Sequence, residues 1–157
     1  MMQLVVLLSV VLSVLYSRET DACPDGCSCG NSSECDGTYV DCAYKGLSGV
    51  PTNISTDTCH LELGGNQITV IPNGIFDIMV NLQYLYLYTN QITVLPTGIF
   101  NTLVNLKYLY FHENKITVLP DGMFDTLVNL QRLILSSNKI TTLPDGIFDT
   151  LVNLHEL

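Results

Sequence analysis

Asn66, Asn90, Asn114 and Asn138 stand 24 residues apart, and the residues around them return with them. A fixed period of this length marks a solenoid, in which each unit buries its apolar side only against the next. The complete units run over 82–105, 106–129 and 130–153, after a degenerate unit that starts at Leu61 and before the stub Leu154 to Leu157. Each reads LxxLxLxxNxITxLPxGxFxTLVN, with Phe111 in place of one leucine and Thr142 in place of a valine.

The pattern dictates local structure. Leu85-Tyr86-Leu87 and its counterparts alternate with period two, so the leucines turn inward and the residues between them outward, as in a short strand. Stacking the units then makes a parallel sheet. The asparagine amide is suited to satisfy backbone groups that the bend removes from the ladder. Pro72, Pro96, Pro120 and Pro144 lock φ on the return path, and Gly74, Gly98, Gly122 and Gly146 allow turns that other residues resist. Phe76, Phe100, Phe124 and Phe148 recur where the returning chain must fill the interior, and are read as core.

The region before the repeats is of a different kind. Residues 1–17 are apolar from Leu4 to Tyr16, too short to cross ~30 Å of hydrocarbon at ~1.5 Å per residue, and are read as a secretory signal peptide cleaved between 17 and 22. No later segment could insert into a membrane. Export puts the six cysteines, all within 23–59, in an oxidising compartment, where they are expected as three disulfides. Residues alone allow 15 pairings of Cys23, Cys27, Cys29, Cys35, Cys42 and Cys59. Zinc at Cys23 to Cys29 is the competing reading, but no second pair or nearby histidine completes a site. Asn31 and Asn53 head glycosylation sequons in the same cap, residues 23–60.

Residues 61–157 resemble the extracellular leucine-rich-repeat family. CPDGCSC at Cys23 to Cys29, with Val40-Asp41-Cys42 and Leu47-Ser48-Gly49-Val50-Pro51, resembles the cysteine-rich cap of such proteins. The NQIT, LPxGxFDxL and LVNL strings are most similar to the variable lymphocyte receptors, and Toll-like receptors and Slit-type guidance proteins share much of the pattern. The resemblance implies an α/β-type repeat solenoid: a horseshoe with a parallel sheet on its concave face, a mostly loop-and-turn convex side and a disulfide-bonded N-terminal cap. It also implies Cys23 joined to Cys29 and Cys27 to Cys42. Cys35, inside an apparent insertion, and Cys59, at the edge of the first repeat, depart from the usual four-cysteine cap and are candidates for a third pair. After the last full unit no cysteine or polar closing unit follows, so that end is expected to be open and capable of self-association.

Function is read from the outward strand positions. They are Tyr84, Tyr86 and Tyr88, then Tyr108, Tyr110 and His112, then Arg132, Ile134 and Ser136. Five of the eight tyrosines are among them. Tyrosine offers broad contact area and a hydroxyl at small entropic cost, which is why binding surfaces favour it. Of the thirteen positions from Thr93, Thr117 and Thr141 to the closing asparagine, nine are identical in the three units, whereas no non-core strand position is. That asymmetry suggests a retained scaffold and a diversified face. The expected function is extracellular recognition of a protein or glycan through the concave face, in an immune receptor or in a matrix or adhesion protein with a fixed partner, secreted or held at the cell surface.

Other classes are disfavoured. With 15 Asp+Glu against 6 Lys+Arg and a net charge of -9, no basic track exists for nucleic acid. His60, His112 and His155 lie in different registers, and no nucleophile-base set is visible, so no enzyme, cofactor or metal is expected. The aspartates at 77, 125 and 149 are read as solvated turn residues, since Asn101 breaks their column. Lys107, Lys115, Arg132 and Lys139 fall in the strand-and-turn register, so the face is expected to be neutral to mildly basic and open to an acidic glycan.

Overall fold

The computed structural model describes residues 23–157, and the expected signal peptide lies outside them. Six short strands form one sheet: β1 (Ser28–Asn31), β2 (Thr38–Asp41), β3 (Thr58–Glu62), β4 (Tyr84–Tyr86), β5 (Tyr108–Tyr110) and β6 (Arg132–Ile134), ordered as in the chain. β1 and β2 are an antiparallel hairpin, and every later pairing is parallel. From β3 on the register follows the repeat, with Leu61 beside Leu85, Leu85 beside Leu109 and Leu109 beside Leu133. No helix occurs among the described residues. The convex side is built from tight turns instead, such as Asp77 N–H to Gly74 O at 3.0 Å and Met79 N–H to Phe76 O at 2.9 Å.

Inside, Leu61, Leu85, Leu109 and Leu133 are fully buried, as are Phe76, Phe100 and Phe124. Phe111 occupies the register of Leu87 and stacks on Phe100, with ring centres 5.7 Å apart. The asparagines hold the coils together. Asn90 Nδ2 donates to Leu63 O of the preceding coil and to Leu87 O of its own, at 2.9 and 3.1 Å, while its Oδ1 accepts from Ile68 N–H. Asn66, Asn114 and Asn138 repeat this bridge. The residue before each asparagine is left-handed, Gly65 in the first coil and Thr89, Glu113 and Ser137 in the others. A threonine or glutamate there stores some strain, which the asparagine bonds offset.

The uniformity of the return segments has a structural cause. Thr102, Thr126 and Thr150 donate to the carbonyls of Phe76, Phe100 and Phe124. Asn105, Asn129 and Asn153 donate to those of Val80, Val104 and Val128. These polar residues, the threonines partly buried and the asparagines exposed, stitch one coil to the next. Their sameness therefore reflects a bond that every coil must make, and the contrast with the strand face no longer requires a diversified surface.

The cap closes the first coil. β2 pairs with β3 and covers its free edge, so Leu61, Leu63 and Ile68 are fully buried. Disulfides join Cys23 to Cys29, Cys27 to Cys42 and Cys35 to Cys59, tying the hairpin and its loop to β3. Asn31, in β1, and Asn53 are exposed.

Candidate functional site: the concave aromatic face

In a parallel ladder without register shift, residues one period apart lie side by side at the strand spacing of about 4.8 Å. Aromatic residues at such positions are forced to stack. The outward residues accordingly form three columns. Tyr84 stacks on Tyr108, centres 4.8 Å apart and rings 7° from parallel. Tyr86 stacks on Tyr110 at 4.6 Å, and Tyr88 on His112 at 5.1 Å. Arg132, Ile134 and Ser136 continue the columns into the next coil. All nine outward residues named from the sequence thus fall on one face. Stacked pairs of this kind add roughly 0.5–1.5 kcal/mol beyond area burial, so the rings arrive pre-ordered.

The columns extend further toward the cap than the three full repeats indicate. His60 pairs in register with Tyr84 and Glu62 with Tyr86, while Tyr39 and Asp41 of β2 pair with His60 and Glu62. His60 stacks on Tyr84 at 4.9 Å and meets Tyr39 edge-on. The 24-residue period points to both residues, since 60 and 62 precede 84 and 86 by one repeat, but the degenerate first unit hides them. Tyr39 and Asp41 lie outside the period, and nothing in the sequence marks them. Gly64, in the register of Tyr88, is empty for a reason: a side chain there would collide with the Tyr88 ring, which lies over it. Gly64-Gly65 is thus a seat for rings.

Electrostatics divide the face. At the far end Arg132 is the only cation in the columns. Its guanidinium lies 5.8 Å from the Tyr108 ring centre, Nη1 donates to the Tyr110 hydroxyl at 3.1 Å, and Nε pairs with Glu156 Oε2 at 2.6 Å. Lys115 is turned aside onto Gln91. At the cap end Glu34 pairs with His60 Nδ1 at 3.2 Å, and Asp41 and Glu62 stand side by side. Glu62 is only 8% exposed, with Oε1 accepting from Gly64 N–H at 2.9 Å. Burial, reinforced by Asp41 and opposed by the Gly64 N–H, lifts its carboxyl from the ordinary 4.5 to about 7. Burial lowers His60, with Glu34 acting the other way. Burial first, then Asp41, Glu62 and Glu34, raises Tyr39. The expectation of a neutral to mildly basic face is therefore corrected: the cap end is acidic, and the one cation in the columns is already paired.

A second feature lies apart from the face. Leu135, Ile140, Leu143, Phe148 and Leu157 line an apolar hollow of about 670 Å³ at the end of the last coil. Asp77, Asn101, Asp125 and Asp149 are exposed turn residues, as read from the sequence.

The fold and face are those of a repeat solenoid carrying an ordered aromatic surface. Comparison with protein families matches the leucine rich repeat over residues 58–116, 81–140 and 105–157, and the chain belongs to that family. It is 37% identical over 82 residues to the platelet glycoprotein Ib beta chain of Mus musculus, covering 51% of this chain and 37% of the relative. Against leucine-rich repeat-containing protein 3B of Homo sapiens it is 38% identical over 79 residues, covering 50% and 29%. The matches thus span well under half of these relatives' lengths. A leucine-rich-repeat protein of Leptospira interrogans superposes with a TM-score of 0.66 at 36% identity, over 74% of this chain and 29% of that one.

Proposed function

We propose that the chain is an extracellular recognition module that binds a protein or glycan ligand non-covalently through its concave face. The observation that carries this reading is the set of three aligned columns, in which Tyr84, Tyr86, Tyr108 and Tyr110 stack in pairs. Rings held in this way lose little freedom when a ligand arrives, so more of the contact energy is left for binding. The hydroxyls of Tyr84, Tyr86 and Tyr108 form no hydrogen bond among the described residues, leaving donors and acceptors for a partner. The three disulfides suit an oxidising compartment.

The strings shared with variable lymphocyte receptors favour an immune role. The coil-to-coil bonds of Thr102 and Asn105 favour a fixed partner, because they explain the uniform return segments without a variable face. Sequencing the locus in several individuals separates the two: variation confined to the outward positions supports the first, identity the second.

The binding reading is tested by probing glycan and protein arrays with the chain and with the double variant Tyr86→Ala, Tyr110→Ala. Loss of array capture is expected, with cooperative unfolding retained and the melting temperature lowered by only a few degrees, the cost of one stacked pair. Undiminished capture by the double variant would sink it.

A further inference from the structure

The far end of the face shows how this surface holds a cation. Arg132 lies over the Tyr108 ring, donates to the Tyr110 hydroxyl and pairs with Glu156. Ring, phenol and carboxylate together form the site. The cap end offers the same three kinds of partner with no arginine among them: the Tyr86 ring, the unbonded hydroxyls of Tyr84 and Tyr86, and the carboxylates of Glu62 and Asp41 in the adjoining register, while the Tyr84 ring itself is covered by His60 on one side and Tyr108 on the other. Among the described residues neither Asp41 nor Glu62 has an ion-pair partner. Burial and the neighbouring Asp41 hold Glu62 toward its neutral form, and a cation brought from outside into the adjoining register is what lets both carboxylates carry charge. Both carboxylates are held in place, since Asp41 Oδ1 accepts from Ala43 N–H at 2.9 Å and Glu62 Oε1 from Gly64 N–H at 2.9 Å. His60, nine-tenths buried beside them, has no bond at Nε2.

We propose that the cap-proximal part of the concave face docks a basic segment of a protein partner, with an arginine or lysine side chain laid against Tyr86, within reach of the Tyr84 hydroxyl, and paired with Glu62 and Asp41. The partner's cation repeats in trans the arrangement that Arg132 makes in cis. Rings attract it through their negative faces and the carboxylates through charge. An acidic ligand is repelled at this end and finds Arg132 already neutralised by Glu156 at the other. The specificity rests on the reading of the concave face as a binding surface.

The test is selection of a phage-displayed random peptide library on the intact chain. Enriched peptides are expected to be rich in Arg or Lys, and changing that residue to Gln should weaken binding about tenfold or more. Asp41→Asn with Glu62→Gln should weaken it as much; both amides keep an oxygen for Ala43 and Gly64 N–H, so the melting temperature reports that the fold is intact. Peptides that lose capture on Tyr86→Ala with Tyr110→Ala, yet carry no basic residue or ignore the amide variants, overturn the proposal and leave the concave-face reading standing. Peptides indifferent to the tyrosine variants overturn that reading itself. Absence of basic peptides from the enriched pool counts against the proposal alone.

Discussion

The inner coils and the last coil of the solenoid are built from nearly the same sequence and reach different states. Leu95 and Leu119 are 2% and 1% exposed, while Leu143, two and one repeats on in the same register, is 52% exposed. Ile92 and Ile116 are fully buried, and Ile140 is only partly so; Phe100 and Phe124 contrast with Phe148 in the same way. Burial in a solenoid is thus conferred by the neighbouring coil rather than by a unit's own residues. The cap does for Leu61 and Leu63 what nothing among the described residues does for Leu135 and Leu143.

The sharpest way to break this comparison is to truncate the same ring at both positions. Phe124→Ala should cost ~3–5 kcal/mol in urea denaturation, the range for deleting a fully buried aromatic ring. Phe148→Ala should cost less than half of that, because its partly buried side chain has less burial to lose. Equal losses would show that the last coil is as tightly covered as the inner ones.

The asparagine ladder gives a smaller effect of the same kind. Asn90 is buried and bridges Ile68, Leu63 and Leu87, so Asn90→Ala strands several buried backbone groups and should cost ~2–3 kcal/mol. Asn138 makes the corresponding bonds to Ile116, Phe111 and Leu135, but in a partly open coil where water can replace them. Asn138→Ala should therefore cost about 1 kcal/mol, measured by the same unfolding curve.

What the sequence discloses follows the same division. Wherever the period is intact, the position of a side chain can be read from its register: the leucine and phenylalanine core, the asparagine turn and the nine outward residues all follow from counting by 24. Where the period decays, reading fails. His60 and Glu62 were reachable only by carrying the count back into a unit with few matching letters, and Tyr39 and Asp41 only by knowing that β2 joins the sheet. The coil-to-coil role of Thr102 and Asn105 was hidden differently. A polar residue that repeats looks like one without a partner until its acceptor, a carbonyl 25 or 26 residues earlier, is seen. The acidic character of the cap end escaped for both reasons.

That acidic end supplies the smallest of the three effects, because two glutamates on one face sit in opposite situations. Glu156 is exposed and paired with Arg132, whereas Glu62 is 8% exposed and has no cation among the described residues. A carboxyl raised by burial to about 7 keeps its proton in the folded chain over a range where the unfolded chain, near 4.5, has lost it. The folded state then binds more protons between these values, so this stability is full below pH 4.5 and is lost as pH rises through 7. Screening by solvent reduces it to roughly 1–2 kcal/mol. His60, lowered by burial, acts in the opposite sense below its ordinary 6.5, so the quantity to measure is the difference between the wild type and Glu62→Gln. Between pH 8 and pH 5 the wild type should gain that amount on the variant in thermal or urea unfolding. Because desolvation is the first cause of the shift, most of the gain should survive ~1 M salt, which shortens the Debye length to about 3 Å. A gain that vanished with salt would trace the shift to Asp41 and its neighbouring charges, and a flat difference would place Glu62 in water, as open as Glu156.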